Sequence, residues 1–186
     1  MSDNPDIIHP RARAFGAYWM SLPKRDFLPD RDQIDLQQLK DILPSFVILQ
    51  YESPAMIRFR LAGTDEVKRY GFEVTGRNYL DFVPDERKAQ AVETFETMLR
   101  HPCGVRNLIE TVTSSGRVVL NEGLGYPMRG SDGRADQMIF QSNDIEGKLR
   151  PYQRKDVVAE HRRLRERRFI DIGAGLPAFA ACSGGV

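Results

Sequence analysis

Six polar residues sit in otherwise apolar, strand-like stretches: Arg106, Asn107, Glu110, Asn121, Gln141 and Asn143. Tyr70 and Tyr79 join them from a helical stretch interrupted by glycines. A polar group carried into an apolar interior needs a partner, either a bound small molecule or another side chain. Tyr79, Asn107, Tyr70 and Arg106 are therefore the candidate ligand-contacting residues, with Tyr79 and Asn107 first. For most of the set, an exposed sheet face is the plainer reading.

Other chemistry is poorly served. Small α+β enzymes of isomerase or dehydratase type place a buried Asp with a Tyr or His in a cavity. Asp65, Asp81 and Tyr126 are available for that role, but their spacing does not single them out. No His, Cys, Asp or Glu pair has metal-ligand spacing and no Ser/His/Asp set stands out, so no catalytic or metal-binding residue is assigned. A haem would have to use His101, which directly precedes Pro102 at a helix end, where a basic group complements the helix dipole. Phe169 to Gly175 is similar to the glycine-rich first motif of S-adenosylmethionine-dependent methyltransferases, but only 11 residues follow it, too few for the α/β sheet that motif serves.

The elements that must position the polar set follow from hydrophobic periodicity. Phe15, Tyr18, Trp19 and Leu22 form one face of a helix that opens at Pro10 and closes at Pro23, and this face should bury against the sheet or a second subunit. Leu36, Leu39, Ile42 and Leu43 repeat the helical spacing between Asp35 and Pro44, which predicts a second helix. Phe46 to Tyr51 and Met56 to Leu61 read as a hairpin, with Ile57, Phe59 and Leu61 on its buried face. Short helical pieces broken by Gly71 and Gly76 come next, then a helix from Pro84 with Val92, Phe95 and Leu99 as its stripe. Three extended runs, Val105 to Thr113, Arg117 to Met128 and Ala135 to Ile145, are joined by turn sequences into a meander. The sheet is thus mostly antiparallel and the fold class α+β.

The chain has 186 residues, 41% hydrophobic and 28% charged, enough for a single core. A net charge of +1 provides no global drive toward nucleic acid or an anionic membrane. Residues 148–168 carry nine basic and three acidic residues, a net of +6 that leaves −5 elsewhere. They read as a solvated helix with Val157, His161 and Leu164 as a narrow seam. Two cysteines are too few for a disulfide framework, and no signal peptide or membrane span is visible, so a cytoplasmic protein is expected.

Inside this order of elements, Arg58-Phe-Arg-Leu-Ala-Gly-Thr64, Tyr70-Gly71 and Val74-Thr-Gly-Arg77 resemble the second strand and following helices of a PAS sensor domain. The combination is particularly similar to small single-domain bacterial PAS-like proteins, which begin with a Trp-containing helix and an Asp/Leu-rich segment ending in Leu-Pro. The resemblance covers about residues 10–146. It implies a five-stranded antiparallel sheet in the order 2-1-5-4-3 with helices on one face, plus an N-terminal helix and a C-terminal basic extension. The expected division is 1–44 for the helical extension, 45–146 for the PAS-like domain and 147–186 for the basic helical segment and Gly/Ala-rich tail. The flavin-binding photosensor branch carries Gly-Arg-Asn-Cys, whereas here Gly76-Arg77-Asn78 leads to Tyr79, which excludes photoadduct chemistry.

The implied function is a non-enzymatic regulatory module in signal transduction. It would bind a small ligand, a signalling partner protein or both, form a homodimer, and engage neither membrane nor nucleic acid. No cofactor is named by the residues. Two alternatives stand beside it: a small cavity enzyme, and a nucleic-acid adaptor acting through the basic segment.

Overall fold

The computed structural model describes residues 7–146 and 157–178. Helix α1 (Pro10–Ser21) precedes the hairpin of β1 (Phe46–Ser53) and β2 (Met56–Ala62). Helices α2 (Thr64–Tyr70) and α3 (Asp85–Arg100) follow, then β3 (Cys103–Thr113), β4 (Val118–Met128), β5 (Gln137–Glu146) and β6 (Val158–Asp171). All strand pairs are antiparallel and the order is β2-β1-β5-β4-β3-β6. The first five strands stand in the expected order, and β6 is added at the β3 edge.

Both faces of the sheet are covered. Val47 and Leu49 face the layer built by α2, α3 and a 3-10 turn at Tyr79–Phe82, while Phe46 and Ile48 face α1. This two-sided burial is why Phe46 to Leu49 is continuously apolar. Phe15 and Trp19 are fully buried on that second face, so the aromatic stripe of α1 packs on its own sheet. Tyr18 and Leu22 lie at its margin. The stripe of α3 is Ala91, Thr94, Phe95 and Met98, with Val92 and Leu99 flanking it.

Three local expectations are corrected. Residues 36–42 form successive turns leading into a 3-10 turn at Leu43–Ser45, and no second α-helix forms there. Asp35 Oδ1 accepts the Gln37 N–H and its Oδ2 the Gln38 side-chain amide, local bonds that favour turns over a helix interior. A bulge moves the register between Ile48↔Leu61 and Leu49↔Phe59, and Leu61 packs on the α1 face, away from Ile57 and Phe59.

The third correction is the basic segment. Its described part is β6, paired with β3 from Thr113↔Val158 to Cys103↔Asp171. Its charges suit an edge strand, where they oppose further pairing with other chains. Within the segment, Glu166 bonds both Arg106 and Arg168, and Arg165 pairs with Glu110. Residues 148–156 and the Gly/Ala-rich tail beyond Ala178 lie outside the described residues.

Candidate functional site

Between the sheet and the α2/α3 layer lies a cavity of about 100 Å³. Its floor is set by alternation: on β3, Asn107 and Ile109 face it, opposite Gly123 and Asn121 of β4. Phe140 and Ser142 of β5, Val47 and Leu49 of β1, and Leu164 and Arg167 of β6 extend the floor. Phe59 of β2 completes the floor, and the roof is Glu66, Arg69 and Tyr70 from α2, Tyr79, and Arg87, Ala91, Thr94 and Phe95 from α3. The last four share a helix face by their i, i+4, i+7, i+8 spacing.

Local chemistry places each wall. Gly71 ends α2 in the left-handed region at φ 79°, a conformation that disfavours side chains and turns the chain immediately after Tyr70. Asn78 then ties the next turn to the hairpin: its Oδ1 accepts the N–H groups of Ile57 and Leu80, and its side-chain amide donates to Ala55 O. Tyr79 is thereby held against Phe59 and Phe95 in edge-to-face contacts, with ring centroids 6.0 and 5.6 Å away. Gly123 keeps the centre of the floor open, because a Cβ there would meet no atom within 4 Å.

Polar groups concentrate at two places along the cavity wall. At the enclosed end, Glu66, Arg69 and Tyr70 are buried. Arg69 Nη1 lies 3.0 Å from Asp144 Oδ1, and its Nε lies 3.5 Å from Glu66 Oε2. Asn121 donates to Asp144 and accepts from Ser142. Glu66 Oε1 is buried with no hydrogen-bond partner among the described residues. At the other end, Tyr79, Arg87, Asn107 and Arg167 are half-buried, and Arg167 Nε donates to Asn107 Oδ1 at 3.3 Å.

Burial raises the Glu66 carboxyl above its ordinary range, against the opposing pull of Arg69, with Asp144 and Asp65 adding to the rise. Burial also lowers the Arg167 guanidinium; Tyr79 and Glu93 counteract this and Arg87 reinforces it. The Tyr70 phenol is pushed well up by burial.

Of the four candidate ligand-contacting residues, Tyr79, Asn107 and Tyr70 line the cavity. Arg106 does not, since its position next to Asn107 puts it on the opposite face. There its Nε donates to Glu122 Oε1 at 2.7 Å and its Nη1 to Glu166 Oε1 at 3.1 Å. Gln141 and Asn143 also face away, bonded to each other, with Gln141 donating to Ser45. Asn121 lines the cavity, whereas Glu110 pairs with Arg165.

The residues considered for a cavity enzyme lie apart. Asp65 pairs with Lys68, Asp81 borders a groove beside α3, and Tyr126 stacks on Trp19. His101 Nε2 sits 3.0 Å from Gly175 O, outside the cavity lining. The glycine-rich motif after β6 is a turn in which Asp171 Oδ1 accepts the N–H groups of Gly173 and Gly175. Among the described residues, no three His, Cys, Asp or Glu are grouped to hold a metal ion, and no helix is long and apolar enough to cross a membrane.

The sequence reading missed Glu66, Arg69, Arg87 and Arg167, because a charged residue on a helix or in a basic run is ordinarily solvated. For Arg87, the helical spacing to Ala91 and Phe95 is a usable signal. Arg167 carries none, since its role depends on the pairing of β6 with β3.

The family model for the PAS domain matches residues 7–140 of the chain. The chain belongs to the PAS family. No curated protein matches this PAS domain. Among solved structures, it is similar to a light-oxygen-voltage domain studied with a flavin analogue, at 18% identity and a TM-score of 0.45, covering 60% of this chain and 84% of that one. It is also similar to the LOV protein of Rhodobacter sphaeroides, at 13% identity and a TM-score of 0.44, covering 62% of this chain and 71% of that one. The VqmA dimer of Vibrio cholerae matches at 18% identity and a TM-score of 0.47, covering 61% of this chain and 54% of that one.

Proposed function

We propose that this PAS domain is a non-enzymatic sensory module that holds a small ligand between the sheet and the α2/α3 layer, with Tyr79, Asn107 and Tyr70 touching it. Ligand occupancy is passed to a signalling partner protein. The observation that carries this reading is the cavity itself: aromatic walls, an open floor at Gly123, and a buried Glu66 oxygen that no described protein donor satisfies. A homodimer belongs to the same proposal, supported by the exposed apolar side chains of Ile8, Met20, Phe27 and Leu36 in the N-terminal segment.

The test is mass spectrometry of small molecules released by gentle denaturation from the purified protein and from Gly123→Leu. The backbone at Gly123 is not in the positive-φ region, so leucine fills the cavity without backbone strain. A compound released by the wild type and missing from Gly123→Leu supports the reading. Identical release from both, or none from the wild type, overturns it. Light scattering of the same preparations reports the dimer.

A further inference from the structure

A continuous line of polar contacts runs along the enclosed end of the cavity. Glu66 Oε2 lies 3.5 Å from Arg69 Nε, Arg69 Nη1 lies 3.0 Å from Asp144 Oδ1, and that same oxygen accepts from Asn121 Nδ2 at 3.2 Å. Ser142 Oγ in turn donates to Asn121 Oδ1 at 2.9 Å. Each group is held by its neighbour, and two bonding positions are left over. Glu66 Oε1 is buried with no hydrogen-bond partner among the described residues, and the Asn121 amide nitrogen carries a second N–H besides the one that Asp144 takes. Both side chains line the cavity, on residues only 3% and 6% exposed. The wall thus presents an acceptor on the roof, from α2, and a donor on the floor, from β4.

The charges in the lining are already engaged. Arg69 stands between Glu66 and Asp144, Arg167 donates to Asn107, and Arg87 has an interaction of its own. A charged ligand would bring one more ion into a partly dry space, at a desolvation cost that an uncharged group does not carry. An N–H beside a C=O is the uncharged arrangement that meets an acceptor and a donor together. Size sets the other limit. At about 100 Å³ the space is roughly two-thirds of the ~150 Å³ apolar cavity that takes benzene, so it suits about four or five non-hydrogen atoms and excludes an aromatic ring. Gly123 lies two residues along β4 from Asn121, on the same face, and a Cβ there would meet nothing within 4 Å, which leaves the space beside the Asn121 amide open.

We propose that the ligand is a small uncharged amide, its N–H donated to Glu66 Oε1 and its C=O accepting the second N–H of Asn121. The inference rests on the ligand-binding reading above and deepens it by naming the group that the ligand presents. The remaining carbons of the ligand meet the apolar part of the lining, Val47, Leu49, Phe95 and Phe140. A ketone of the same shape satisfies Asn121 but leaves Glu66 Oε1 buried and unmet, which is the costly outcome for a polar atom out of water.

Three compounds of one shape separate the parts: acetamide carries the donor and the acceptor, acetone only the acceptor, and acetate an acceptor with a charge. Each is titrated into the full chain and followed by the backbone amide resonances of Gly123 and Ser142. Acetamide should bind more tightly than acetone or acetate, by about fivefold or more. Glu66→Met keeps the reach of the side chain and removes the acceptor, so it should erase the preference for acetamide over acetone. Glu66→Gln, which keeps a side-chain oxygen, should retain part of it. Equal near-ultraviolet circular dichroism of the variants and wild type confirms that the fold is kept; where a variant does not fold, the wild-type order decides alone. Acetone or acetate binding as tightly as acetamide, or an unchanged preference in Glu66→Met, overturns the amide assignment and leaves the cavity as a ligand site. Failure of acetamide to shift either resonance of the wild type overturns the proposal. If the wild type also releases no small molecule on denaturation, the ligand-binding reading fails with it.

Discussion

Trp19 lies flat on Tyr126, with ring centroids 4.6 Å apart and planes 14° from parallel, fastening α1 to the sheet face opposite the cavity. Phe15 completes the contact edge-on, 5.6 Å from Tyr126 and 5.0 Å from Phe46. Trp19 is fully buried, so its truncation removes a large apolar surface and leaves a void. Trp19→Ala should destabilise the protein by about 3–5 kcal/mol in urea titrations followed by circular dichroism. The native fluorescence of this single tryptophan should be that of a shielded indole, shifting to the red only on unfolding. A solvated spectrum in the native protein contradicts the packing.

Glu122 supports the second prediction. It is fully buried, receives Arg106, and accepts the backbone N–H groups of Ile8 at 2.8 Å and His9 at 2.7 Å. Removing it strands the buried Arg106 charge with the partly exposed Glu166 alone and frees the chain entering α1. Glu122→Ala should cost about 3–5 kcal/mol. Amide exchange at Ile8 and His9 should accelerate beyond the global change. Unchanged protection there means that Glu122 does not hold the segment.

The contrast between Arg106 and Asn107 shows how far the residues alone reach. Composition and alternation identify β3 as half-buried and rich in polar groups, but consecutive strand residues face opposite ways, and only the packing on each face tells which one meets the cavity. The same limit explains β6. Its charges follow neither a helical nor a strict alternating pattern, because its pairing with β3 shifts register three times, and its partner is about 60 residues distant in sequence. The β1 run was legible because burial on both faces leaves it uniformly apolar. The left-handed Gly71 and Gly76, at φ 79° and 85°, were legible because their turns need a residue without a Cβ.

Glu66 makes stability depend on pH. Its carboxyl is raised in the folded protein, chiefly by burial, so the folded state holds this proton more tightly than the unfolded chain. Stability from this group is full below its unfolded value, near 4.5, and falls as pH rises from there through the folded value. Glu66→Gln keeps the shape and removes the titration, while Arg69 retains Asp144 at 3.0 Å. Unfolding midpoints followed upward from the unfolded value, near 4.5, should therefore decline less steeply in Glu66→Gln than in the wild type. A variant that is more pH-sensitive than the wild type contradicts this.

The last prediction concerns β6, which sequence alone presents as a dispensable appendage to a sheet complete by Ile145. In the structure it covers the whole length of β3, from Cys103 to Thr113, and supplies Leu164 and Arg167 to the cavity floor. Deleting the chain from Arg154 onward exposes a long, partly apolar strand edge, the arrangement that templates association with other chains. The truncated protein should unfold at lower urea concentration and form soluble aggregates, seen by light scattering. Leu164→Ala separates packing from edge exposure: the side chain is half-buried, so a loss of about 1–2 kcal/mol is expected, with the strand still paired and the protein free of aggregates. A truncated chain that stays as stable and as well dispersed as the full one shows that β3 tolerates an open edge and that β6 serves the cavity alone.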